Sequence, residues 1–161
     1  MNQNIIIKDN FLPQEQFEEI KNLLLSSNFP WSFSDPHTAY KDGMNQFFHV
    51  FFYQETIRSQ FFPILNPILS QFNIQSLLRV KANLNPKTKQ LETARFHTDT
   101  NIDCNTMIYY VNSNDGCTFF ENGESIQSIE NRLVIFPSHF RHAGTSCTDK
   151  NARCLINFNF T

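Results

Sequence analysis

Apolar residues recur with two different periods along this chain, and the change falls near Ser76. Before it, Asn4–Lys8 is a short β-type run, and Leu12-Pro13-Gln14-Glu15 opens a helix. Proline suits a first turn, where its missing N–H has no partner to lose, and an acid there meets the positive end of the helix dipole. Phe17, Ile20, Leu23 and Leu24 carry a helical stripe to about Ser26. Ser27–Met44 is rich in turn formers (Pro30, Asp35, Pro36, Gly43) yet holds Trp31, Phe33, His37 and Tyr40, which predicts a long loop folded over a core edge. Gln46–Gln54 predicts a buried strand. Glu55 to about Phe72 carries a second helical stripe, which Pro63 and Pro67 divide into two short helices.

After Ser76 the runs are short and rich in β-branched or aromatic residues: Ser76–Leu84, Ala94–Thr98, Thr106–Asn112, Cys117–Glu121, Ser125–Ile129, Arg132–Phe136, a stretch around His142, and Arg153–Phe160. Turn signals separate them, at Asn85-Pro86, Asn112 to Gly116, Glu121-Asn122-Gly123 and Pro137-Ser138. This spacing predicts a sandwich or barrel, with a jelly roll as one natural solution. The expected fold is mainly β with flanking helices. Residues 1–75 form a support and possible lid, residues 76–161 the β core, and the whole chain one domain, since no repeat or Gly/Ser linker divides it.

Composition narrows the function. With 40% apolar and 17% charged residues the chain is not a disordered tail. Lys+Arg 13 against Asp+Glu 15 gives a formal charge of −2, which disfavours nucleic acid as a partner. No apolar run approaches the roughly 20 residues a membrane-spanning helix needs, and the opening Met1-Asn2-Gln3-Asn4 does not read as a secretory signal. Cys104, Cys117, Cys147 and Cys154 show no CxxC pairing, so reduced, buried thiols in a cytoplasmic protein are expected. The abundance of Phe and Asn matches an AT-rich genome, viral or bacterial; for a virus the compartment is the host cytoplasm.

The chemistry gathers in the second half. In Phe96-His97-Thr98-Asp99, residues i and i+2 of a strand share a face, so His97 and Asp99 can converge on one point. His142 follows a strand and turn further on; two histidines and one carboxylate bind one face of an octahedral metal and leave positions open, as suits non-haem Fe(II). Arg153 opens the last strand, where a guanidinium could grip a carboxylate with two hydrogen bonds. His139 is the rival third ligand, disfavoured by its distance from the Ala143-Gly144-Thr145 turn. His37 and His49 read as loop and core histidines.

With these residues in order, together with Thr106 to Asn112 and Asp115-Gly116-Cys117-Thr118-Phe119-Phe120, the stretch from Ser76 onward resembles the Fe(II)/2-oxoglutarate-dependent dioxygenases, nearest their prolyl 4-hydroxylase-like branch. The resemblance implies a double-stranded β-helix (jelly roll) core buttressed by N-terminal helices. It implies Fe(II) on His97, Asp99 and His142, and 2-oxoglutarate held by Arg153 and Tyr110. It further implies dioxygen as oxidant, with ascorbate as a supporting reductant. The activity implied is hydroxylation of an unactivated C–H, on a peptidyl residue such as proline. Two departures stand out: Cys117 replaces a second glycine after Gly116, and Leu84 stands where a cosubstrate-contacting Tyr is usual, with Asn83 or Thr106 as substitutes.

Around that set, Tyr109 is expected to pack on the opposite face from Tyr110, and Phe96, Ile108 and Phe136 to give apolar walls. Arg95 and Arg141 flank the ligands as substrate contacts or rim charges. Trp31 and Tyr40 suit core-edge packing better than a lid. The alternatives are a small-molecule or nucleobase oxygenase of the same superfamily, a non-catalytic jelly-roll binding module, and a cupin-like Zn or Mn enzyme. Asn157 and Asn159 after Arg153 disfavour the nucleobase reading, because a second Arg is usual there.

Overall fold

One large antiparallel sheet carries a helix on one face and a small sheet on the other. The structure, a computed structural model, describes residues 5–34 and 44–161, so the expectations for His37, Tyr40 and the middle of the Ser27–Met44 loop lie outside the described residues. In chain order the elements are β1 (Ile6–Lys8), α1 (Gln14–Leu24), β2 (Ser32–Ser34), β3 (Gln46–Tyr53), β4 (Thr56–Ile57), a 3-10 turn (Phe62–Leu65) and α2 (Asn66–Leu69). There follow β5 (Leu77–Pro86), β6 (Asn105–Tyr110), β7 (Cys117–Phe120), β8 (Ser125–Gln127), β9 (Arg132–Pro137), β10 (His142–Gly144) and β11 (Ala152–Phe160). The large sheet runs β1-β9-β6-β11-β5-β3-β2 with β4 paired to β3, and the small sheet runs β10-β7-β8.

Strict alternation divides the central strands between two cores. Val80 and Ala82 of β5, Met107 and Tyr109 of β6, Leu133 of β9 and Cys154, Ile156 and Phe158 of β11 pack with Phe17, Ile20 and Leu24 of α1. Their neighbours Ile108, Tyr110, Val134, Phe136 and Leu155 turn the other way and meet Phe120 and Ile126 of the small sheet. This is the two-sheet arrangement of a jelly roll, and the helical buttress is where the sequence pattern puts it. Asn131 joins the layers: it takes a hydrogen bond from Leu12 N and gives one to Leu12 O, while Tyr109 donates its hydroxyl to the same carboxamide oxygen at 2.8 Å. Tyr109 therefore packs on the face away from the small sheet, as alternation requires.

The N-terminal third departs from expectation in part. The strands expected at Asn4–Lys8 and Gln46–Gln54 form as β1 and β3, and the start of the expected loop adds β2, which with β1 makes the two outer strands of the large sheet. Glu55 does not open a helix; Gln54 and Glu55 both have positive φ, 51° and 59°, and form the tight turn into β4. Only Phe62–Leu65 and Asn66–Leu69 are helical, each beginning where a proline falls in the first turn. Likewise, 94–98 is no full strand. It runs beside β10 through isolated bridges, Thr93 to Thr145 and His97 to His142. Trp31 packs at the core edge, its ring 5.0 Å from that of Phe29 and its indole N–H donated to Leu24 O. All four cysteines are buried and unpaired. No helix among the described residues is long and apolar enough to cross a membrane.

Candidate active site

His97 and His142 face each other as a hydrogen-bonded antiparallel pair, each backbone N–H donating to the other's carbonyl at 3.0 Å. This pairing puts their rings side by side, with centroids 4.9 Å apart. Each Nδ1 lies against a carbonyl two residues earlier, Arg95 O at 3.0 Å for His97 and Phe140 O at 3.1 Å for His142. A carbonyl only accepts, so both Nδ1 atoms carry the proton and both Nε2 lone pairs are left to face a metal. His142 is wedged among Phe136 and Phe120, with centroids 5.0 and 6.2 Å from its own. Burial pushes its pKa below the ordinary histidine value, which favours the neutral, metal-binding form.

Asp99 completes the group. One ligand atom from each of His97, Asp99 and His142 falls within 4.8 Å of the others. The two carboxylate oxygens differ: Oδ1 accepts from Arg79 Nη2 at 2.7 Å, whereas Oδ2 is buried, has no hydrogen-bond partner among the described residues, and lies 3.7 Å from His142 Nε2. Burial pushes the Asp99 pKa up, but Arg79, His142 and His97 outweigh it, and the carboxyl ends below its ordinary value. Arg79 is itself fixed, donating Nε to Asn159 Oδ1, and Asn159 donates to Thr106 Oγ1. An orphaned carboxylate oxygen beside two imidazole Nε2 atoms is a donor set that fits divalent iron.

These groups open onto a cavity of about 210 Å³ that reaches Arg153 at its other end. The Arg153 guanidinium is 1% exposed and donates to Ser128 Oγ at 2.7 Å, Thr118 Oγ1 at 2.9 Å and Thr145 O at 3.4 Å. Two glycines make room for it: a Cβ on Gly116 would lie 2.7 Å from Arg153 Cδ, and one on Gly144 would lie 3.1 Å from Nη1. The Gly116 of the Asp-Gly turn is therefore the indispensable one, and Cys117 sits in β7 without disturbing it. Tyr110 is fully buried behind this end, its hydroxyl 2.8 Å from Thr118 Oγ1 and its ring under the guanidinium at 5.6 Å.

The remaining expectations sort by strand face. Leu84 packs toward the helical side, so the cavity-facing residues of β5 are Arg79, Lys81, Asn83 and Asn85. Of the two substitutes for the missing Tyr, Asn83 lines the cavity, and Thr106 is engaged with Asn159. Ile108 lines the cavity and Phe136 stands behind His142, but Phe96 is 37% exposed and is not a wall. Its segment is joined to β10 by isolated bridges and lies outside both buried clusters. Arg95 lines the mouth, whereas Arg141 pairs with Glu121 at 2.5 Å and donates to Phe96 O. His139 is exposed, its ring against Phe140, away from the group around His142. His49 is a packing histidine between Phe29 and Phe51. Sequence reasoning passed over Arg79, Lys81 and Thr118. The first two had a signal, since polar residues at every second position of an otherwise apolar strand mark a face turned to something polar.

No protein-family model matches the sequence, and no curated protein matches it significantly. Solved structures do match. A prolyl-4-hydroxylase of Pseudomonas putida superposes with a TM-score of 0.64 at 11% identity, over 99% of this chain and 93% of that one. A Trichoplax adhaerens prolyl hydroxylase, solved with a peptide fragment of the hypoxia inducible factor oxygen degradation domain, gives 0.65 at 15% identity, over 99% and 84%. The chain shares the fold of these hydroxylases. The same fold also serves other chemistry: SnoK, an alpha-ketoglutarate-dependent carbocyclase of nogalamycin biosynthesis, gives 0.68 at 10% identity, over 98% and 79%.

Proposed function

We propose that residues 1–161 form one Fe(II)- and 2-oxoglutarate-dependent dioxygenase domain that hydroxylates an unactivated C–H bond, of a peptidyl residue such as proline or of a small molecule. The observation that carries this reading is the pairing of an orphaned Asp99 Oδ2 and two Nδ1-protonated imidazoles at one end of a cavity with a buried guanidinium at the other. His97, Asp99 and His142 hold the iron. Arg153 and Thr118 take the distal carboxylate of 2-oxoglutarate, and Tyr110 supports them from behind through its bond to Thr118. When bound, iron and 2-oxoglutarate supply the activation of dioxygen. The chain's share is to fix three ligand atoms, to neutralise the buried carboxylate with a guanidinium that burial alone would disfavour, and to hold the substrate C–H in place. The four reduced thiols suit the cytoplasm.

The direct test is anaerobic addition of Fe(II) and then 2-oxoglutarate, followed by visible spectroscopy. A weak charge-transfer band that needs both additions and vanishes in His97→Ala and Asp99→Ala is expected. A wild-type protein that gives no band would instead be a binding module on the same fold.

A further inference from the structure

The arginine on Asp99 is built into the large sheet. Arg79 Nη2 donates to Asp99 Oδ1 at 2.7 Å, with side-chain exposures of 18% and 5% for the two residues. A full positive charge therefore stands one carboxylate away from the ligand atom Oδ2. Arg79 Nε donates to Asn159 Oδ1 at 3.1 Å, and Asn159 Nδ2 donates to Thr106 Oγ1 at 3.0 Å. Both of these partners are buried. In the sheet register Asn159 of β11 lies opposite Arg79 of β5 on one side and Thr106 of β6 on the other. The chain Thr106–Asn159–Arg79–Asp99 thus runs across three neighbouring strands and ends on the metal ligand. What faces Nε is a neutral carboxamide and not a second carboxylate, so Asn159 fixes the guanidinium without cancelling its charge.

A neutral donor would suffice to orient the carboxylate. A charged one has a further consequence. Its repulsion grows with the charge of the metal ion, so it opposes a trivalent ion more than a divalent one. Asp99 is buried, and the opposition is screened far less there than it would be in water.

We propose that Arg79, held by Asn159 and Thr106, biases the site toward ferrous over ferric iron and so protects the resting centre from oxidation by dioxygen. The step opposed is the loss of one electron from Fe(II) to dioxygen, which leaves as superoxide and strands Fe(III) on the ligands. Arg79 acts on the metal through Asp99, as a positioning residue whose charge is used as well as its hydrogen bond. The inference deepens the dioxygenase reading above and rests on its iron.

The test is a redox titration of the iron-loaded full chain without 2-oxoglutarate, under argon with mediators, in which the ferric EPR signal is followed. Arg79→Met should raise ferric relative to ferrous affinity about tenfold, a fall of about 59 mV in midpoint potential. Arg79→Lys keeps the charge and should stay within about twofold of wild type. Asn159→Asp separates charge from position: Nε keeps its acceptor and the Thr106 hydroxyl turns to donate, so the relay stays closed while its charge is cancelled. Its potential should fall as that of Arg79→Met does. Arg95→Gln removes an exposed charge at the mouth and should change the ratio by less than about twofold. Lost orientation weakens both oxidation states and cancels in the ratio, whereas Mn(II) affinity reads it separately. A wild-type potential in Arg79→Met and Asn159→Asp, or an equal fall in Arg95→Gln, would overturn the proposal. If iron and 2-oxoglutarate bind and the potentials do not move, this inference alone falls. If the potentials move but 2-oxoglutarate gives no charge-transfer band, the ferrous bias stands and the dioxygenase reading falls. A wild-type chain that binds no iron at His97, Asp99 and His142 removes both.

Discussion

At one end of the cavity Arg153 is 1% exposed, hydrogen-bonded to two hydroxyls and a carbonyl, and stacked over Tyr110 in the middle of the sheet sandwich. At the other, His97 is exposed on a segment joined to β10 by isolated bridges, and Asp99 is steadied by one arginine. The anchor end is part of what the core folds around. The metal end is mixed: His97 sits at the rim with its ring oriented by Arg95 O, Asp99 is oriented by Arg79, and His142 is buried against Phe136 and Phe120. Substitution of Arg153 should therefore disturb stability and ligand binding together, and substitution of His97, binding alone.

The largest effect that breaks this contrast open is Arg153→Leu. It strands the Ser128 hydroxyl in the interior and leaves Thr118 with Tyr110 as its partner, and a loss of about 3 kcal/mol in urea unfolding is expected, with 2-oxoglutarate binding abolished. His97→Ala gives the opposite profile: unfolding free energy within about 0.5 kcal/mol of wild type, and Mn(II) affinity lowered by roughly 100-fold or more in calorimetry. A large stability loss in His97→Ala would end the distinction. Arg79→Met sharpens it, because the ligand remains and only its orientation is released; Mn(II) affinity should fall about tenfold, with partial rescue in Arg79→Lys. Gly144→Ala is the mildest. Its Cβ nudges Arg153 Nη1, so 2-oxoglutarate affinity should fall by about threefold to tenfold while Mn(II) binding holds, a change of about 1 kcal/mol.

The same contrast explains what the sequence made legible. His97, Asp99, His142 and Arg153 are readable because alternation on a strand is a local rule, and because their residue types have few other reasons to occur in that order. Tyr109 and Tyr110 part to opposite faces for the same reason. Arg79 was not readable as a partner of Asp99, since the two are 20 residues apart and meet only when β5 crosses the sheet. The β4 turn escaped notice because Gln54 and Glu55 are not the residues that usually adopt positive φ, and the helical stripe beyond them dominated. Phe96 was expected as a wall on the assumption that its segment was a covered strand; the bridges leave that side open. Strand face is written in the sequence, whereas what covers the face is decided by distant elements.

The most direct measurement is a crystal structure of the protein grown anaerobically with Mn(II) and 2-oxoglutarate. The account predicts a metal ligated by His97 Nε2, His142 Nε2 and Asp99 Oδ2, with Asp99 Oδ1 still on Arg79 and the distal carboxylate of 2-oxoglutarate against Arg153 and Thr118. A metal bound elsewhere, or a cosubstrate whose distal carboxylate lies away from Arg153, would contradict it.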